Sequence, residues 1–373
     1  MRKIAFVVAV TSLLLTGRSV WAEPYLAAWK GVNCNACHVN QTGGWLRNDF
    51  GKNYGNSLQT FDWQGLSDVA QKISHNTPSW VSVGLDIHES YGANLFPNAP
   101  GPTPSSLNNF QNERMVFEVG AKVNEVVSGA IALNNNNIRE MYGLISLPQG
   151  AYLKFGQFTT PYGLELADDN SLVRSQLGFW FDNNPSNGIE AGLYPGVFFV
   201  NAAMFNGSVG TDKGFSAKGG FNFSQITIGG SIYGSDLSEV NDKLRYGGFG
   251  WGRLGPVVIL AEYDQGYDGA VARDDYKAYH ASAEVDCGSD VYVRLTSEWF
   301  DDSLQVGSLT TPFGYNGTGY DGFRHVISMR CYPVRNTKFQ LDISRYDPKD
   351  GTTIAQASGD SFYGVMADGF LFF

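Results

Sequence analysis

Apolar and polar residues alternate at every second position along most of the chain that follows residue 78. The alternation is clearest in the segments 81–88, 226–233 and 338–344. A period of two predicts β-strands with one apolar face and one polar face. Strands of roughly ten residues recur as far as the C-terminus, and we count about sixteen of them, an even number as bacterial barrels require.

The connections between the predicted strands have two lengths. Short turns are predicted near residues 125–128, 148–150, 194–196, 254–256, 287–289 and 332–335. Long polar loops are predicted at residues 92–110, 159–187, 265–274, 301–321 and 347–360. A soluble antiparallel sheet can alternate in the same way, but short turns on one rim and long loops on the other are typical of outer-membrane barrels.

The last strand supports the barrel. Its alternate positions are apolar or small and end in an aromatic residue: Tyr363, Val365, Ala367, Gly369, Leu371 and Phe373. Such an ending is similar to the C-terminal assembly signal of outer-membrane proteins. The predicted fold class is all-β, a transmembrane antiparallel barrel of about 16 strands preceded by a small N-terminal module.

The first residues indicate export. Arg2 and Lys3 precede an apolar run at 4–15, and a small-residue cleavage site ends at Ala22, which is the pattern of a secretory signal peptide. A retained membrane anchor fits poorly, because the run is short for a membrane span. The predicted domains are a signal peptide at 1–22, a haem module and connector at 23–77, and a barrel at 78–373 in the outer membrane of a Gram-negative bacterium. Residues 62–73 of the connector are predicted to form a short helix.

Composition narrows the classes of function. Charged residues make up 17% and aromatic residues 14%, with 45 glycines and a net charge of −10. No further run of 18 apolar residues follows the signal peptide, so no membrane-spanning helix is predicted. The negative charge argues against a nucleic-acid partner.

One motif carries cofactor chemistry. Cys34, Cys37 and His38 form a C-x-x-C-H pattern, in which two thiols bind one haem c covalently and the histidine is an axial ligand of the iron. A redox C-x-x-C lacks its usual β-α-β context. Half of a zinc site lacks a second ligand pair nearby. We therefore predict one covalent haem c.

Residues 31–48 around this motif resemble the monohaem module of fused cytochrome–porins of the bacterial outer membrane. Members of that family often carry proline where Gln41 stands here. The resemblance implies an iron-oxidase-like protein that acts by single-electron transfer. Arg47 then either pairs with a haem propionate, as guanidinium groups do with carboxylates, or is a surface arginine.

A second resemblance lies in the predicted barrel. Residues 153–165 and 188–192 are similar to phosphate-selective porins of the O and P family. This likeness implies a porin-type barrel of this size. It does not establish phosphate as a substrate, and no basic cluster in the sequence indicates an anion filter.

Two more cysteines, Cys287 and Cys331, fall in predicted short turns on one rim. In an oxidising compartment a disulfide between them is expected. The alternative is two unpaired thiols.

The primary functional hypothesis is an electron conduit. It takes electrons from an extracellular donor to a periplasmic c-type cytochrome through haem held in the lumen of a lipid-embedded barrel. Ferrous iron is one such donor, because carboxylates crowd the predicted outer loops: Asp168, Asp169, Asp182, Asp264, Asp268, Asp274, Asp275, Asp301 and Asp302. Solvated loop charge also explains them. One alternative is a solute porin with a haem-containing plug or redox gate, and another is an electron shuttle confined to the periplasm.

The second axial ligand is sought among the other four histidines. His75 lies in the connector, and the alternation turns His88 and His280 toward the lumen. His325 is in phase with lipid-facing residues. We predict a bis-histidine haem with His75 or His88 as the distal ligand.

Overall fold

A computed structural model describes residues 24–30, 36–40, 46–48, 51, 80–95, 106–134, 137–164, 166, 171, 185–207, 213–223, 225–235, 243–268, 274–302, 308–310, 316–318, 322–334, 336–348 and 361–372. The signal peptide, Cys34, the predicted helix at 62–73 and His75 lie outside these residues. The described part consists almost entirely of β-strands, as the alternation predicted.

The described residues contain one 3-10 helix (Pro148–Gly150), together with one α-helix and eighteen strands. They are α1 (Pro24–Lys30), β1 (Val81–Leu95), β2 (Ser106–Lys122), β3 (Val127–Asn134), β4 (Asn137–Ser146), β5 (Tyr152–Thr159), β6 (Pro185–Leu193), β7 (Phe198–Asn206), β8 (Lys213–Phe223), β9 (Ile226–Ser235), β10 (Lys243–Leu254), β11 (Val257–Asp268), β12 (Asp274–Asp286), β13 (Val291–Asp302), β14 (Ser308–Thr310), β15 (Asn316–Thr318), β16 (Gly322–Cys331), β17 (Thr337–Pro348) and β18 (Phe362–Phe372). Helix α1 is too short to cross a membrane.

Sixteen of the described strands form a closed antiparallel barrel, which confirms the predicted strand number. Each strand pairs with its neighbour in sequence, and β1 closes the barrel by pairing with β18. The exceptions are β14 and β15, which form a small separate hairpin between β13 and β16. The barrel has no open edge, so every strand has hydrogen-bonding partners on both sides.

Side chains alternate between the two faces of the wall, except at irregularities in register after His88 in β1 and after Ala132 in β3. In β16, Phe323, His325, Ile327 and Met329 are exposed on the outer face, whereas the residues between them are buried toward the lumen. An apolar outer face is what a barrel surrounded by lipid requires. His88 and His280 are buried on the inner side, so the predicted orientations of these two histidines and of His325 are confirmed.

The connections agree with the predicted asymmetry, with several differences. Phe223 ends β8 and Ile226 begins β9, and this short connection was not predicted. Strands β1 and β2 extend to Leu95 and from Ser106, so the loop predicted at 92–110 is shorter. Only residues 135–136 separate β3 from β4, although this connection lies on the long-loop rim. Alternation can continue past the membrane boundary, and for that reason it locates strand ends poorly.

The predicted disulfide between Cys287 and Cys331 is not formed in the structure, where both thiols are free. The amide of Cys287 donates to the carbonyl of Val291 at 2.9 Å, and Val291 is the register partner of Cys331. Strand β13 therefore separates the two cysteines, and two strand spacings place their Cα atoms about 10 Å apart. A disulfide needs Cα atoms within about 7 Å.

The rims can be assigned by proteolysis. Protease added to intact cells is expected to cut in the long connections at 172–184 or 303–321 and to spare the turns at Gly288 and Pro333. Mass spectrometry of the released fragments would locate the sites. Cleavage confined to these turns would show that the rim with the short turns, rather than the rim with the long loops, faces the outside of the cell.

Candidate functional site

Two segments of the chain enter the lumen. We call residues 24–30, 36–40, 46–48 and 51 the plug, and residues 160–164, 166 and 171 the inward loop. The described side chains of α1 are buried, although α1 is not part of the barrel wall. Both segments contact residues on the inner face of the barrel, so the lumen is the candidate site.

Helix α1 binds the wall through its aromatic side chains. Tyr25 Oη lies 2.8 Å from Ser282 Oγ. The indole nitrogen of Trp29 donates to a carboxylate oxygen of Glu284 at 3.0 Å. Arg253 donates to the Trp29 carbonyl at 2.7 Å, and its guanidinium carbon lies 5.3 Å from the centre of the indole ring. Buried aromatic rings with satisfied polar atoms make this a stable contact.

The described end of the haem motif, Cys37 and His38, lies in a turn of the plug. His38 and Arg47 are partners in an antiparallel β-bridge. The Asn48 side chain donates to the His38 carbonyl at 3.3 Å. A Cβ atom on Gly51 would lie 2.1 Å from the Cys37 carbonyl oxygen, so only glycine allows the two backbones to approach this closely. Cys37 is 3% exposed.

This turn rests against the wall formed by β1, β2 and β18. Leu46 is buried against Gly120, where a Cβ atom would lie 2.3 Å from a leucine methyl carbon. The Arg47 guanidinium carbon lies 4.4 Å from the centre of the Phe372 ring. Glu118 is buried on the inner face of the same wall, two residues before Gly120. Arg47 therefore occupies the lumen near a carboxylate and is only partly exposed.

The plug also reaches the wall formed by β4, β5 and β6. The Lys154 ammonium donates to the Asn40 side-chain oxygen at 3.0 Å. It forms an ion pair with Glu190 at 2.9 Å, and both side chains are completely buried. It also lies 4.7 Å from the centre of the Phe158 ring. Lys154 thus links the plug to a buried charge pair.

Loss of this buried charge should destabilise the barrel strongly. Lys154→Met would leave Glu190 buried without its cation, and breaking a buried pair costs about 3–5 kcal/mol. The free energy of unfolding is measured by urea titration in detergent. The matched control is Lys122→Met, which removes an exposed pair with Glu125 and should cost less than about 1 kcal/mol. Equal losses for the two variants would contradict this account.

The inward loop crosses the lumen to β11. The Tyr162 hydroxyl donates to Asp264 Oδ1 at 2.7 Å, and the Leu164 amide donates to Glu262 Oε2 at 3.1 Å. Burial and the Asp264 carboxylate raise the pKa of the Tyr162 hydroxyl, so this hydroxyl stays protonated and donates. Carboxylates of the wall therefore hold the loop across the channel.

A third carboxylate of the wall, Glu298, holds the far end of the loop. The Ser171 hydroxyl donates to Glu298 Oε1 at 2.6 Å. Glu298 also accepts from Arg324 at 2.9 Å and lies 2.9 Å from His280 Nδ1. The inner wall thus carries charges of both signs in mutual contact, and Arg330 with Glu284 at 2.8 Å repeats the arrangement.

The sequence did not reveal this charged wall. Its members include Arg114, Lys154, Glu190, Glu284, Arg294, Glu298, Arg324 and Arg330. Each is one polar residue in an alternating strand, and the pairs come together only through the register of neighbouring strands. The sequence contains one indication of this wall: most barrel strands have a charged residue at a position that faces the lumen.

Two other residues singled out in the sequence, His88 and Asp264, lie on the inner wall. His88 Nε2 lies 3.0 Å from Asp368 Oδ1, and its ring stacks on Phe370 with centroids 3.9 Å apart. Asp264 was predicted in an outer loop, but it is buried on the inner face of β11 because it alternates in phase with Glu262. The part of the chain that is described contains no group of three His, Cys, Asp or Glu side chains arranged to hold a metal ion.

Solved porins share this architecture. An anion-selective porin from Comamonas acidovorans is 12% identical, with a TM-score of 0.59 over 79% of this chain and 99% of the porin. OmpT of Vibrio cholerae is 9% identical, with a TM-score of 0.57 over 79% and 97%. The outer-membrane channel DcaP of Acinetobacter baumannii is 12% identical, with a TM-score of 0.54 over 79% and 97%.

These likenesses define the class of fold: a closed, porin-type β-barrel with sixteen strands in its wall. Sequence identities this low establish a similarity of fold and nothing further. A comparison with sequence families found no match, and neither did a comparison with curated proteins.

Proposed function

We propose that this protein is an outer-membrane porin whose lumen is narrowed by the plug and the inward loop. One observation carries the proposal: contacts from both segments reach the inner wall of a sixteen-stranded barrel, at Glu284 for the plug and at Asp264 for the loop. A barrel of this size has a lumen wide enough for water and solutes. The plug and the loop then decide what passes.

Small polar solutes are the proposed cargo. The similar porin from Comamonas acidovorans is described as anion-selective. In this chain, cations of the inner wall such as Arg324 and Arg330 are in ion pairs with carboxylates. Paired charges leave little net field for one sign of ion, so we propose weak selectivity by charge and stronger selectivity by size.

We propose that the plug carries one covalently attached haem c. Cys37 is buried in the lumen, and the bridge between His38 and Arg47 holds the histidine backbone beside the cation proposed to meet a propionate. Asn48 and Gly51 fix the backbone around Cys37. Cys34 and Cys37 would hold the porphyrin, and His38 would bind its iron. Haem c supplies reversible one-electron transfer.

A second candidate function is the electron conduit, and the position of the haem motif favours it. Cys37 and His38 belong to the plug, which lies inside the lumen. The plug contacts Phe372 through Arg47 and Lys154 through Asn40. A cofactor held there would shorten the path across an apolar band about 25 Å tall. The partners proposed for this function are a periplasmic c-type cytochrome and an extracellular donor such as ferrous iron.

Reconstituted liposomes separate the two functions. A porin should let sugars of graded size enter and swell the vesicles. A conduit should pass electrons from external ferrous iron to cytochrome c trapped inside, with little swelling. Swelling that stops above a sharp size limit supports the porin, and vesicles that neither swell nor transfer electrons would rule out both functions.

The distal ligand can be tested by spectroscopy. Changing His75 or His88 to alanine, one at a time, is expected to convert the haem from low spin to high spin in one case only. His88 already contacts Asp368, and a carboxylate on one ring nitrogen orients a histidine that binds metal through the other. His280→Ala is the comparison, because its ring faces Ser282 and Glu298. An unchanged spectrum in the first two variants would contradict both assignments.

A further inference from the structure

A continuous chain of hydrogen bonds joins the plug to the inward loop along the inner wall. Tyr25 Oη lies 2.8 Å from Ser282 Oγ, which lies 3.1 Å from His280 Nε2. His280 Nδ1 lies 2.9 Å from Glu298 Oε1, which accepts from Ser171 Oγ at 2.6 Å. The first residue belongs to α1, the last to the loop, and the three between them to β12 and β13.

The donors and acceptors of this chain are compatible with one another. The Glu298 carboxylate only accepts, so His280 Nδ1 and the Ser171 hydroxyl are the donors to it. His280 Nε2 can then accept from Ser282, whose oxygen in turn accepts from Tyr25. All five side chains are at most 4% exposed. Hydrogen bonds in series strengthen one another where water is excluded.

We propose that Ser282, His280 and Glu298 form a relay that couples the plug to the inward loop, so that release of either segment loosens the other. The proposal rests on the proposed function, in which these two segments together narrow the lumen. It adds a regulatory connection between them. His280 is the central member, because its two ring nitrogens contact the two halves of the relay.

The physical basis is the sharing of partners. If Tyr25 leaves, the Ser282 hydroxyl loses a donor and no longer holds the His280 ring in one orientation. Glu298 then retains Arg324 at 2.9 Å as its charged partner and can turn toward it. That movement would weaken the bond from Ser171. The inward loop would be less firmly held as a consequence.

Trypsin cleavage after Lys30 in detergent-solubilised protein measures release of the plug, because α1 ends at Lys30 and is buried in the lumen. Tyr25→Phe and Ser171→Ala each remove one hydroxyl, and each should speed cleavage, roughly fivefold for Tyr25→Phe. The cleavage rate of the double variant, Tyr25→Phe with Ser171→Ala, should differ by at least about threefold from the rate obtained by multiplying the two single effects. In a His280→Phe background the two effects should multiply. His280→Gln replaces this variant if the phenylalanine variant does not fold.

Tyr194→Phe is the matched control, because the Tyr194 hydroxyl donates to Asn201 at 3.0 Å and Tyr194 belongs to neither the plug nor the inward loop. Its effect should multiply with that of Tyr25→Phe in both backgrounds. If the effects of Tyr25→Phe and Ser171→Ala on the cleavage rate simply multiply in the otherwise wild-type protein, the relay is disproved. Single-channel conductance is measured separately: a barrel that never conducts refutes the porin, whereas the cleavage rates decide the coupling.

Discussion

Deletion of residues 24–51 is expected to raise the single-channel conductance of the barrel severalfold. The plug contacts β2 at Gly120 and β12 at Glu284, strands that lie six positions apart around a barrel of sixteen. Its removal should leave a water-filled channel limited mainly by the inward loop. Conductance is measured in planar lipid bilayers, and swelling of liposomes in larger sugars should rise in parallel.

Single substitutions provide the control for this deletion. Trp29→Ala removes a buried ring and its bond to Glu284, so it should loosen the plug and give an intermediate conductance. Trp80→Ala is the matched change, since Trp80 is 60% exposed just before the first strand. It should leave the conductance unchanged. Equal conductance of the truncated and full-length chains would show that the plug does not obstruct the channel.

The barrel was largely predictable from the sequence because alternation reports the two faces of a strand directly. Alternation alone assigns His88 to the lumen and His325 to the lipid face, and the structure agrees. The β14–β15 hairpin was not predicted, because three-residue strands are too short to show a period. The short connection between β8 and β9 was missed for a related reason: the alternation does not mark where one strand ends and the next begins.

The lumen was much less predictable. Glu298 meets His280 and Arg324 because β13 lies between β12 and β16, a neighbourhood set by register rather than by sequence order. The loop at 160–171 carries no pattern that distinguishes an inward fold from an outer loop, and its position depends on carboxylates about one hundred residues away such as Asp264. The C-x-x-C-H motif is different, because covalent chemistry requires its spacing within five residues.

The haem assignment gives the second large effect. Cys34→Ala together with Cys37→Ala is expected to abolish covalent haem completely while the barrel still folds, because no strand of the wall contains either residue. Haem staining on a denaturing gel measures attachment, and heat-modifiable migration measures folding of the barrel.

The other two cysteines provide a matched double variant, Cys287→Ala with Cys331→Ala. Both lie near one rim, flanking Val291, where Cys287 is exposed and Cys331 is partly exposed. This variant should keep its haem and its folding, so any loss of stain in the first pair cannot come from removing thiols in general. Stain that survives loss of Cys34 and Cys37 would disprove the assignment. Loss of stain with a rise in conductance would further indicate that the bound group helps to fill the lumen, because Cys37 is buried there.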